Sequence, residues 1–303
     1  MPAPAPDPAA PDPAAPDPVG PHGIDDLVRS STQALAAIPG VVGVTLGGSR
    51  ARGTADAAAD VDLGVYYRAG SLDLDALAVA ADAVSDHPVE LAPPGTWGPW
   101  VDGGAWLHVG GTAVDWILRD LDRVDAVWAD CGAGIVRNEI QTGHPLGFWS
   151  HAYCGELALA RVLVDPGDAL TRRHDEYLTY PDALATTLVR RLWEARFTLE
   201  IAAKAARRAD TVYVAGCLFR AVGVMAHALH GHARSWVTNE KGLVALTAAL
   251  PDAPARFAER AEDAVAALAP DPVALDAALA IAGTLLDDVE HAVRPADPDD
   301  RRR

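Results

Sequence analysis

The apolar positions change period along the chain, and the change divides it. Residues 24–38 carry apolar side chains at helical spacing, with Asp25 and Asp26 near the start and Pro39-Gly40 as a stop. Val41–Leu46 is a short apolar β-branched run, expected as a buried strand, and Val61–Tyr67 is expected as a second strand. Residues 71–84 return to helical spacing, with Ser71 the expected N-cap. Short runs at 89–91, 105–109 and 112–118 read as further strands. The last two flank Gly110-Gly111, a two-residue hairpin signal. Residues 120–129 read as a short helix. The pattern to residue 130 is therefore a mixed α/β unit.

Beyond residue 145 the period is helical almost throughout. Helices are expected over 148–163, 181–208, 210–229, 239–250, 255–268 and 272–293, separated by Gly or Pro. The expected fold class is α+β: an N-terminal mixed-sheet core over 24–130, then an antiparallel α-helical bundle over 145–294. Residues 1–23 hold proline at nearly every second or third position and no large apolar side chain, which predicts a disordered Pro/Asp/Ala tail. Residues 295–303 read as a second loose end.

Charge narrows the function. A formal net charge of −17 disfavours contact with phosphate backbones, so a nucleic acid is not expected as partner. A cationic small molecule or a metal ion suits the surface better. The three cysteines, Cys131, Cys154 and Cys217, have no C-x-x-C spacing and read as buried or free thiols. No apolar run is read as reaching the roughly 18 residues of a membrane span, and the N-terminus lacks a signal-peptide pattern. The cytoplasm is the expected compartment, with no membrane partner.

The stretch richest in chemistry is Gly47-Gly48-Ser49-Arg50-Ala51-Arg52-Gly53, followed by Asp60-Val61-Asp62. The glycines allow a sharp turn and close approach of a ligand to the backbone. Ser49 opens an expected short helix, whose N–H groups suit phosphate, with Arg50 and Arg52 as nearby charge. Asp60 and Asp62 sit two apart, so a strand sends both carboxylates to one face. A divalent cation relieves their repulsion. Asp115, within the apolar run 113–117, is a third carboxylate that a shared metal site would accommodate.

This G-G-S … D-x-D … D arrangement resembles the nucleotidyltransferase superfamily of DNA polymerase β, most of all its minimal and aminoglycoside nucleotidyltransferases. The likeness covers residues 41–67 plus Asp115. Ala59 stands where the family often has serine. The resemblance implies ATP or another nucleoside triphosphate, two magnesium ions held by Asp60, Asp62 and Asp115, and triphosphate contacts from Gly48, Ser49 and Arg52. A hydroxyl then attacks the α-phosphorus and pyrophosphate leaves. Asn239-Glu240-Lys241-Gly242 resembles a lysine-bearing helix of the aminoglycoside enzymes, which implies a triphosphate contact for Lys241, one of only two lysines in the chain. Glu156 has two readings: a general base recruited from the helical domain, or a carboxylate favoured by a helix N-terminus. Asp115 is an alternative proton acceptor. The acceptor is expected to be a small hydroxyl compound such as an aminoglycoside-like antibiotic. The alternative is a helical partner protein, as in antitoxins that adenylylate their targets. Trp97, Trp100 and Trp106 read either as a wall for a sugar-like substrate or as packing under a loop. His227 and His230 share a helix face without metal spacing.

Overall fold

The computed structural model describes residues 21–56, 59–101 and 103–294. In chain order the elements are α1 (Pro21–Ala36), β1 (Val41–Leu46), α2 (Gly48–Ala51), β2 (Val61–Tyr67), α3 (Leu74–Val84), β3 (Gly104–Val109) and β4 (Thr112–Asp120). There follow α4 (Leu121–Gly132), β5 (Asn138–Gln141), β6 (His144–Trp149), α5 (Ala152–Ala158), β7 (Arg161–Val164), α6 (Ala169–Tyr177) and α7 (Asp182–Arg190). The chain ends with α8 (Leu192–Ala206), α9 (Thr211–His232), α10 (Leu243–Ala248), α11 (Phe257–Ala266) and α12 (Pro272–Ala292). The fold is α+β, a mixed sheet followed by a helical region.

Contacts group the chain into two compact units. One contains residues to Thr96, Asp102–Arg119 and Ala160–Gly167; the other contains Trp97–Val101, Asp120–Leu159 and the chain from Asp168. The first unit holds a five-stranded sheet in the order β3-β4-β2-β1-β7. Strand alternation explains its core. Val61, Leu63 and Val65 of β2 and Val114, Trp116 and Leu118 of β4 are fully buried on one face, together with Val44, Leu46, Ala105 and Leu107. Leu27, Val28 and Leu35 of α1 and Leu77 and Ala81 of α3 complete that core. The opposite face carries Thr45, Asp62, Gly64, Asp115 and Trp106. The Gly110-Gly111 hairpin forms as expected, with both glycines at positive φ. Asp86 accepts from both glycine N–H groups (3.1 and 3.0 Å), which holds its carboxyl below the usual range.

The second unit is built round α9, which packs against α7, α8, α10, α11 and α12. By length and composition α9 could cross a membrane, contrary to the sequence expectation that no such run exists. Arg220 is its one charged interruption apart from histidines, and 67% of its apolar window is buried within the unit. A helix apolar on nearly all sides is what the centre of a bundle requires.

Several expected elements differ. The expected tail over residues 1–23 lies outside the described residues as far as residue 20; from Pro21 the chain is helical, since proline's fixed φ suits a first turn. Residues 295–303 also lie outside them. The helix expected over 148–163 is instead the end of β6, the seven-residue α5, and β7. Arg161–Val164 pairs antiparallel with β1, Val44 opposite Val164, at the sheet's edge. The run at 89–91 forms no strand; the residue after it, Ala92, makes an isolated bridge to Gly104. The helix expected over 181–208 breaks at Arg191 into α7 and α8. The α3 cap is Asp73, which accepts from Ala76 N–H at 2.9 Å, not Ser71.

Candidate active site

The link from β1 to β2 opens with a turn that carries the one-turn helix α2. Gly48 opens α2 at φ +63°, in the left-handed region. Gly47 N–H donates to the carbonyl of Asp62 at 2.8 Å, Ala51 N–H to Gly47 O at 3.1 Å, and Thr54 N–H to Ser49 O at 3.0 Å. These bonds fix the turn directly over β2. A Cβ built on Gly48 would lie 1.8 Å from Oδ2 of Asp62, so the Asp62 carboxylate occupies the space that any side chain at 48 would need.

Arg50 departs from the phosphate reading. Its guanidinium turns back to the strand: Nε donates to the carbonyls of Ala59 (3.1 Å) and Asp60 (3.0 Å), and Nη2 also bonds Ala59. It ties α2 to the residues that carry Asp60. Sequence reasoning assigned no such positioning role, because nothing local marks a side chain that folds back nine residues along the chain. Arg52 is exposed at the C-cap of α2.

Asp62 and Asp115 are partly buried, on adjacent strands β2 and β4 and on the sheet face opposite the core. Asp60 lies just before β2 and is exposed. Among the described residues no three His, Cys, Asp or Glu side chains converge as a group suited to a metal ion. Trp106 faces the same side, is 62% exposed, and is the register partner of Asp115.

The remaining candidates belong to the second unit. Glu156 is the one residue of α5 outside its buried set. Lys241 is exposed and lies in a turn, which corrects the lysine-bearing helix: its N–H bonds Asn239 Oδ1 at 2.9 Å, and Gly242 at φ +71° delays α10 to Leu243. Next to it, Glu240 Oε2 is 2.9 Å from His144 Nδ1. Burial raises its carboxyl, but the His144 bond and backbone N–H groups outweigh that and hold it low.

Trp100 is a packing residue. It stacks on Phe148 at 5.5 Å, its indole N–H donates to Glu139 at 3.1 Å, and Gln141 anchors its backbone. His227 and His230 are buried with His151, and Trp149 stacks on His227 at 4.0 Å. Burial depresses all three histidines: His151 to about 3, His230 to about 4, His227 well below its ordinary value.

The family model of the nucleotidyltransferase domain matches residues 28–95. That span contains the turn at 47–53, Asp60 and Asp62; Asp115, Glu156 and Lys241 lie outside it. The chain thus carries a nucleotidyltransferase domain, the mark of an enzyme that transfers a nucleoside monophosphate. No curated protein matches the chain. Eleven solved chains do. Among them is a nucleotidyltransferase-like protein from Exiguobacterium sibiricum 255-15, 15% identical over 89% of this chain and 74% of that one, with a TM-score of 0.35.

Proposed function

We propose that the chain transfers AMP from ATP to a hydroxyl of a small molecule, with release of pyrophosphate. The observation that carries this reading is the fixed contact between Gly48 and the Asp62 carboxylate. A backbone turn suited to phosphate oxygens lies directly beside the carboxylates that would neutralise a phosphate-bound cation. The N–H groups of Gly48 and Ser49 bind the triphosphate, with Arg52 as a point charge for its outer oxygens.

Magnesium fits the donor set, since Asp60, Asp62 and Asp115 offer hard carboxylate oxygens. This cation is commonly held by one or two carboxylates together with substrate phosphates. When bound, as two ions, it supplies charge neutralisation at the transferring phosphoryl group. Asp60, Asp62 and Asp115 would hold it. Asp115 takes the proton of the attacking hydroxyl. The hydroxyl oxygen bonds to the α-phosphorus, and the bond to the β-phosphate oxygen breaks. An aminoglycoside-like polycation is the leading acceptor because it suits a chain of charge −17. The three free, buried cysteines agree with a reducing compartment such as the cytoplasm.

One observation favours a second reading. Trp193 and Phe197, on one face of α8, are 66% and 52% exposed with ring centroids 6.4 Å apart. Such a patch suits a partner protein as acceptor. An acceptor screen separates the two. The protein, magnesium and each nucleoside triphosphate are incubated with aminoglycosides, lincosamides and other hydroxylated compounds, and mass spectrometry seeks the gain of one nucleoside monophosphate. AMP on a small molecule supports the first reading. AMP on a protein, lost when Trp193 and Phe197 are replaced by serine, supports the second. No nucleotide transfer to either overturns both.

A further inference from the structure

The sheet order sets a direction across the candidate site. From β1 outward, the polar face meets the turn after β1, Asp62 on β2, Asp115 on β4 and Trp106 on the edge strand β3. In phosphoryl transfer the attacking and leaving oxygens stand roughly in line on opposite sides of phosphorus. If the triphosphate tail rests on the Gly48–Ser49 turn, pyrophosphate leaves toward β1. The attacking hydroxyl then enters from the β4–β3 side.

Trp106 is the large side chain at that side. Its neighbours Ala105 and Leu107 are buried in the core, so alternation turns the indole to the carboxylate face. Antiparallel pairing places its Cβ about 5 Å from that of Asp115. Trp100, nearby in sequence, is only 7% exposed and stacks on Phe148. An indole that is 62% exposed beside a carboxylate offers a flat apolar platform next to a proton acceptor. That combination suits a hydroxyl-bearing saturated ring, whose C–H face packs on the indole while its hydroxyl points at the carboxylate.

We propose that Trp106 is the acceptor-stacking residue: it holds the ring of a sugar-like acceptor so that a hydroxyl faces Asp115. The proposal rests on the transfer reading above. It assigns Trp106 to the acceptor and not to the nucleobase.

The test uses the full chain labelled with 5-fluorotryptophan, the Trp106 resonance being assigned by its loss in Trp106→Phe. Calorimetry first measures binding of magnesium with α,β-methylene-ATP, which cannot transfer AMP. Absence of binding would sink the transfer reading itself, whatever Trp106 does. Kanamycin, streptomycin and lincomycin are then added in turn. The Trp106 resonance is expected to stay in place with nucleotide alone and to move with at least one of the three. Movement with nucleotide alone, or with none of the three, overturns the assignment. For the compound that moves it, Trp106→Ala should raise the acceptor KM about tenfold and leave the ATP KM within about twofold, with Trp106→Phe restoring most of the loss. A fall in kcat with both KM values unchanged would also overturn it.

Discussion

The carboxylate of Asp62 fills the space beside Gly48 that a side chain would need: a Cβ at 48 would come within 1.8 Å of Oδ2. The φ of +63° at Gly48 adds a second constraint. Gly48→Ala therefore carries a strained backbone, at a cost of about 1–2 kcal/mol, and displaces the carboxylate as well. Nucleotide transfer is expected to fall at least about a hundredfold while the far-ultraviolet circular dichroism stays near wild type. Gly53→Ala is the matched control, since Gly53 also has positive φ (+70°) but open space around a built Cβ. Similar losses in both variants would refute the special role of the Gly48–Asp62 contact.

Arg50 holds the carbonyls of Ala59 and Asp60 and so acts on the site through the backbone. Arg50→Ala should lower kcat about tenfold with little change in the ATP KM, because it loosens Asp60 without removing a phosphate contact. Arg50→Lys should not rescue it, since an ammonium lacks the fork that reaches two carbonyls. A large rise in ATP KM would instead make Arg50 a phosphate ligand.

The buried histidines make the second unit acid-sensitive. His151, His227 and His230 are neutral in the folded state, and several of their ring nitrogens have no hydrogen-bond partner among the described residues. Arg191 and Arg220, both over the Trp149 ring at 4.9 and 5.4 Å, oppose further positive charge there. Well above pH 6.5 these histidines are neutral in both states and contribute little pH dependence. As pH falls below 6.5, the unfolded chain takes up protons that the folded chain refuses until about pH 3–4. Stability therefore falls with falling pH, by up to about 4 kcal/mol per pH unit for three such groups. Urea midpoints measured from pH 7.5 to 5 should drop along that slope, and His230→Leu should flatten it by about a third. A midpoint that does not change would contradict the buried neutral cluster.

Cys131, Cys154 and Cys217 are all buried. The hydrogen bond with Cys131, and burial after it, push the Cys154 thiol up; burial does the same at Cys217. Iodoacetamide at pH 8 should label none of them in the native protein and all three in urea. Fast native labelling would show that the second unit opens readily.

The parts legible from sequence were those set by local pattern. Val61–Tyr67 is a strand over the residues its alternation marks, and Gly110-Gly111 makes its hairpin because both positions need positive φ. What stayed hidden depends on distant partners. Arg161–Val164 is only four residues long and follows directly on apolar residues of helical spacing; its strand character comes from pairing with β1, more than a hundred residues earlier. Lys241 leaves its expected helix because Asn239 and Gly242 favour a turn, a local signal outweighed by the apolar spacing around it. At the site, alternation along β2 marks Asp62 for the polar sheet face, where it lies; Asp60, expected on the same strand, falls just before it. The role of Arg50 was not legible, since its target carbonyls are chosen by the fold of the turn.

The central claim is that Asp62, fixed against the Gly48 turn, is indispensable to nucleotide transfer. Its most direct test is pyrophosphate release from ATP with magnesium and the acceptor found by screening, compared between the wild-type chain and Asp62→Asn. The account predicts release by the wild type, coupled to AMP on the acceptor, and loss of at least about a thousandfold in Asp62→Asn with unchanged circular dichroism. Equal release by both proteins would contradict it.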